Sequence, residues 1–106
     1  MISSIRHVGF VVSDLENSLK FYSDILGLKI YRRFIEEGDF IDSLTGIKNV
    51  KLEWAKLIIP QGGLIELLQY HSHPDPDTSN NLSRSSSNRL GCSHVALTVE
   101  NLSTLH

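Results

Sequence analysis

One cysteine, three prolines and a single tryptophan among 106 residues close off several classes of protein at once. A lone Cys92 leaves no intrachain disulfide framework and fits a reducing compartment, which points to the cytoplasm. No apolar run approaches the roughly 20 residues that span a bilayer, and the opening "MISSIRHVGF" lacks the basic-then-apolar order of a signal peptide, so no membrane partner is expected. Basic residues do not cluster beyond Arg32 and Arg33, and a net charge of -2 offers no electrostatic reason to expect nucleic acid. A phosphate loop, a Ser-His-Asp arrangement and a CxxC motif are also missing.

What is present has the profile of one ordinary globular domain, with 41% hydrophobic residues, ten basic and twelve acidic side chains. Residues 5–12 alternate so that Val8, Phe10 and Val12 point one way while Ile5, His7, Gly9 and Val11 point the other, the mark of a strand with two unlike faces. Asp14 offers a capping carboxylate. Leu15, Leu19, Tyr22, Ile25 and Leu26 then recur at helical spacing until Gly27 supplies a stop. Residues 28–36 return to mixed alternation and predict a second strand. Within 40–49, Phe40, Ile41 and Leu44 could line one helical turn ended by Gly46, either as a lid or as a connection. Residues 51–59 and 64–70 predict a hairpin about the turn formers "PQGG". In its second arm Leu64, Glu66, Leu68 and Tyr70 share a face, so a carboxylate stands in an otherwise apolar or aromatic row. Residues 71–91 are rich in Ser, Asn, Asp and Pro and read as a linker. Alternation resumes in "CSHVALTV", with His94, Ala96 and Thr98 on one side and Val95, Leu97 and Val99 on the other.

The two ends of the chain repeat one another. A shift of 87 positions lays "RHVGFVVSDL" on "SHVALTVENL", matching His7 with His94, Val8 with Val95, Val12 with Val99 and Leu15 with Leu102, with Asp14 and Asn101 as equivalent helix caps. The expected fold class is therefore α+β: a βαβββ module with a mixed sheet over residues 1–70, a linker over 71–91, and over 92–106 the first strand of a second such module. That second copy should continue into a helix and three strands, and only "NLSTLH" follows Glu100, so the sequence is expected to be part of a longer two-module parent. A lone four-stranded sheet with one helix leaves a face uncovered, which calls for a partner, exposed apolar surface or marginal stability.

Two readings of the polar strand residues stand side by side. His7, His94 and Glu66, if they meet on the inner sheet surface, are a donor set for a divalent ion such as Zn²⁺, Ni²⁺, Mn²⁺ or Fe²⁺, and strands hold ligands more accurately than loops. Alternatively the histidines are hydrogen-bonded structural residues and Glu66 is a solvated strand carboxylate. Cys92 shares the face of His94 and either lines that site or is a small buried thiol. His71 and His73 open the linker and are expected in solvent; Trp54 is expected in the core.

The stretches "IRHVGFVVSDLENSLKFYSDILGLKI", "LIELLQY" and "CSHVALTVENL" together resemble the glyoxalase, bleomycin-resistance and extradiol-dioxygenase group, the vicinal oxygen chelate superfamily. The resemblance covers nearly the whole chain. It implies paired βαβββ modules curled around a metal site with ligands His, Glu, His and Glu in chain order. His7 matches the first, Glu66 the second and His94 the third, while the place of the fourth lies beyond residue 106. The implied cofactor is a divalent metal (Ni, Co, Zn, Mn or Fe). The implied activity is that of a metal-dependent lyase or isomerase acting on a small oxygen-rich metabolite, in which the ion stabilises an enediolate or enolate and a carboxylate, Glu66 or the missing fourth ligand, moves the proton. A piece lacking that ligand should turn over little. Val11 stands where glyoxalase I enzymes carry arginine, and Tyr70 where they tend to have asparagine, so glutathione conjugates fit poorly and methylmalonyl-CoA epimerase-like proteins are closer. The alternatives are a non-catalytic antibiotic-binding protein, against which the retained His7, Glu66 and His94 count, and an iron-dependent extradiol dioxygenase, whose His, His, Glu order differs. Module pairing implies a homodimer.

Overall fold

The computed structural model describes residues 1–76 and 86–100. The chain divides into two compact units, Met1–Pro74 and Asp75–His106. The first unit contains four strands, β1 (His7–Val11), β2 (Lys29–Glu36), β3 (Leu52–Ile58) and β4 (Leu64–Tyr70), with helix α1 starting at Leu15–Leu19 and helix α2 at Asp39–Thr45. The sheet order is β1-β4-β3-β2. β1 runs parallel to β4, and the other pairs are antiparallel. This is the mixed sheet of a βαβββ module, with the extra helix α2 between β2 and β3.

Local chemistry accounts for each element. Asp14, in an extended conformation, accepts the backbone N–H of Asn17 and so satisfies one orphan donor of α1. A second orphan, the N–H of Leu15, donates to Gln69 Oε1 at 2.8 Å, which ties the helix start to β4. The spacing of Leu15, Leu19, Tyr22 and Ile25 predicts one uninterrupted α-helix. Instead, residues Lys20–Ile25 adopt π-helical geometry, with Leu26 N–H donating to Phe21 O at 3.0 Å. The wider turn rotates the later side chains relative to a 3.6-residue helix, so Ile25, expected in the apolar stripe, is 45% exposed.

Strand parity divides the sheet into two faces. On one, α1 buries Leu15 and Leu19 against Ala55, Leu57, Ile65 and Leu67, with Phe10 and Val12 packed alongside. Leu15, Leu57 and Leu67 are fully buried, each contributing about 1.5–3 kcal/mol of transfer free energy. The opposite face is open along much of its length. α2 and the residues after it cover one end, where Ile41 and Val50 pack with Leu52 against Trp54, Leu68 and Tyr70. Asp42 holds that corner by accepting the backbone N–H groups of Asn49 and Val50.

The β3–β4 turn also seats β1. A Cβ on Gly63 would lie 2.5 Å from Arg6 O, so only glycine lets the backbone come close enough for Leu64 N–H to donate to that oxygen at 3.0 Å.

In the second unit, residues 92–99 form no strand. Strand-forming alternation is a potential that only a ladder partner realises, and this segment has none among the described residues. Val95, Leu97 and Val99 are exposed. Cys92, for which burial is the sequence expectation, is an exposed free thiol; without a packed strand there is no core for it to enter. Residues 101–106, where the repeat predicts a helix start, lie outside the described residues. No helix among the described residues is long and apolar enough to cross a membrane.

Candidate functional site

Register places the chemistry-bearing side chains of the first unit on the open face. Pairing Gly9 with Glu66, Glu66 with Lys56, and Lys56 with Arg32 produces one row across all four strands. The neighbouring row runs Val11, Leu68, Trp54 and Phe34. His7, two residues before Gly9, shares this side. Its Nε2 lies 3.5 Å from Glu66 Oε1. The other carboxylate oxygen, Oε2, faces Lys56 Nζ at 3.9 Å. Glu66 is the more enclosed of the first pair, its side chain 14% exposed against 34% for His7. Gly9 leaves the room: a Cβ there would stand 3.2 Å from Leu68 Cδ1 and 3.6 Å from Glu66 Oε1.

The separation of His7 and Glu66 can be tested against metal coordination. Two N or O donors about 2.1 Å from one tetrahedral ion lie roughly 3.4 Å apart. The observed 3.5 Å suits two corners of such a sphere, and an imidazole with a carboxylate is a suitable donor combination. Among the described residues no group of three or more His, Cys, Asp and Glu side chains is gathered closely enough to hold an ion. His94, the third sequence-predicted ligand, is an exposed residue of the second unit.

Aromatic side chains flank the row. Lys56 Nζ stands 4.8 Å from the Trp54 ring centroid, and Trp54 and Phe34 are 6.0 Å apart. Arg32 lies over Phe34 at 5.8 Å. Trp54, for which a core position is expected, is half-buried: it packs against the cluster of Ile41, Val50 and Leu52 while its indole N–H donates to Glu36 Oε1.

The opposite face of the same strands holds a second polar cluster. Arg33 contacts Glu16 of α1 at 2.6 Å and Glu53 of β3 at 2.8 Å. His71 Nε2 meets the remaining Glu53 oxygen at 2.8 Å. Burial pushes the Glu53 carboxyl up, but the bonds from His71 and Arg33, with their charges, outweigh it and hold the group below the ordinary carboxylate value. The Glu16 and Glu53 carboxylates raise the Arg33 guanidinium. His71 is exposed, as expected of a residue that opens the linker, and also bonds to Glu53; the backbone continues the β4 ladder, with the His71 and Ser72 N–H groups donating to Lys51 O. His73 is exposed and adopts a positive φ of 52°.

Sequence reasoning passed over Lys56. A signal was available, since folding the hairpin at Gln61 sets Lys56 directly opposite Glu66. Gln69 and Glu53 had no such signal, because their partners, Leu15 N–H and Arg33 with His71, come from segments that only the tertiary fold brings near.

Residues 4–106 match the family described as the Glyoxalase/Bleomycin resistance protein/Dioxygenase superfamily. No curated protein matches the chain. A crystal structure of a glyoxalase family protein from Bacillus cereus is similar, with 28% identity and a TM-score of 0.64 over 71% of this chain and 50% of that one. The match thus spans half the length of that relative.

Proposed function

The chain belongs to the Glyoxalase/Bleomycin resistance protein/Dioxygenase superfamily, and from that premise we propose that it is the metal-site half of a metal-dependent lyase or isomerase acting on a small oxygen-rich metabolite. The observation that carries this reading is the 3.5 Å approach of His7 Nε2 to Glu66 Oε1 on adjacent parallel strands. In this proposal His7 and Glu66 hold a divalent ion, and pairing of modules in a homodimer supplies the remaining donors, for which His94 is a candidate. The compartment proposed is the cytoplasm.

When bound, the ion supplies Lewis-acid stabilisation of negative charge that develops on substrate oxygen. The chain's own residues do the rest. The ladders of β1 and β4 fix both donors in direction, so little reorganisation accompanies binding. In this reading Glu66, through Oε2 on its Lys56 side, would take a proton from a substrate carbon and return it. Leu68 borders the site with apolar surface, its Cδ1 beside the space that Gly9 leaves next to Glu66.

Calorimetric titration of the chain with Zn²⁺ tests the proposal. Binding is expected, and His7→Ala or Glu66→Gln should weaken it by more than about tenfold, at least the effect of disturbing a ligand's own support. Equal affinity in all three proteins overturns the reading.

A further inference from the structure

We infer that Lys56, backed by Arg32, is a substrate-positioning residue, and that the substrate carries a carboxylate or similar anionic group beside the oxygens directed at the His7–Glu66 site; this rests on the metal-site reading above. The first observation is charge. Along the row Gly9, Glu66, Lys56 and Arg32 one carboxylate faces two permanent cations. Glu36, elsewhere on this face, already accepts the Trp54 indole N–H. Arg32 has no carboxylate partner among the described residues and rests on the Phe34 ring. That row therefore holds one cation more than its acids, next to the donors that would hold an ion.

The second observation is geometry. Lys56 is no loose surface lysine: its side chain is 26% exposed, and its ammonium is held over Trp54 at 4.8 Å and beside Glu66 Oε2 at 3.9 Å. Cross-strand neighbours lie about 4.8 Å apart, so Lys56 can reach a group two or three bonds from an atom seated at Glu66. A Glu66 carboxylate committed to an ion shares less of its charge with Lys56, and the ammonium then lacks a full counter-charge in a half-covered setting. An anionic substrate group supplies it through a charge-assisted hydrogen bond. A neutral substrate would leave the Lys56 ammonium without that counter-charge, which is the basis of discrimination.

Malate and lactate test the inference, since both present a 2-hydroxy acid and only malate adds a second carboxylate. Trp54, the sole tryptophan, reports binding by fluorescence because Lys56 lies on its ring. In the Zn²⁺-loaded chain malate should bind about tenfold more tightly than lactate. Lys56→Met should erase that preference while Zn²⁺ affinity, measured separately by calorimetry, stays equal or rises; Lys56→Arg should retain it. A preference that survives Lys56→Met, or that is absent from the wild type, overturns the inference and leaves the metal reading standing. If Zn²⁺ does not bind at all, the metal reading fails, and malate titration of chelator-treated protein decides the anion site: a response lost in Lys56→Met supports it, and no response overturns it.

Discussion

Glu53 and Arg33 face each other across β2 and β3 on the helix-covered side, with Arg33 Nε donating to Glu53 Oε2 at 2.8 Å, and each ties in one further element: Glu16 of α1 through Arg33, His71 beyond β4 through Glu53. One carboxylate thus joins β2, β3 and the exit of β4.

This cluster predicts an acid dependence of stability. The folded Glu53 carboxyl is held below its ordinary value, so its contribution is fully present above the unfolded value, near pH 4.3, and is lost as pH falls through the lower folded value. Glu53→Gln should lose about 1 kcal/mol at pH 7, a small figure because Arg33 and His71 are each one-third exposed and solvent screens them. Urea denaturation at neutral pH and near pH 2 reads this; a difference that persists undiminished in acid contradicts it.

The core makes a larger demand. Leu67 is fully buried under α1, and Leu67→Ala should cost about 2–5 kcal/mol. Thermal or urea unfolding measures the loss, and a cost below about 1 kcal/mol would mean that α1 does not pack on β4 as described.

Gly63 links stability to the site. A Cβ at 2.5 Å from Arg6 O forces the start of β1 away from β4, and His7 is the next residue after Arg6. Gly63→Ala should destabilise the fold by about 1–3 kcal/mol and also weaken Zn²⁺ binding. Calorimetry under conditions where the variant remains folded separates the two effects; unchanged affinity would show that β1 keeps its place.

Gly9 tests room rather than backbone. Its substitution by valine should leave folding within about 1 kcal/mol, because the open face can yield, yet crowd Glu66 Oε1 and the space beside it. Reduced Zn²⁺ affinity with near-native unfolding is the expected pair of results, and normal affinity would place the ion elsewhere.

Much of this molecule is legible without coordinates. The alternation about His7, the Asp14 cap, the "PQGG" turn and the shared parity of Leu64, Glu66, Leu68 and Tyr70 correspond to β1, α1, the hairpin and the open face as they stand. The π-helical turn at Lys20 is not legible, because apolar spacing does not register whether a backbone N–H bonds four or five residues back. Nor is the exposure of Cys92, since the pattern around it describes a strand and says nothing about whether a ladder forms.

By itself the amino-acid order determined which residues of β1, β3 and β4 share a face, where the α1 cap and the hairpin turn fall, and that one histidine-bearing segment occurs twice, because these arise from the strand period of two and from local turn and cap chemistry. Only the tertiary structure decided that β1 lies parallel beside β4. That neighbour relation turns His7 and Glu66, distant in the chain, into a pair 3.5 Å apart. It also brings Gln69 to the start of α1 and sets Glu53 between Arg33 and His71. The physical reason is that strand order and helix placement are chosen by burial of Leu15, Leu57 and Leu67 in a common core, a property of the whole unit and of no single segment.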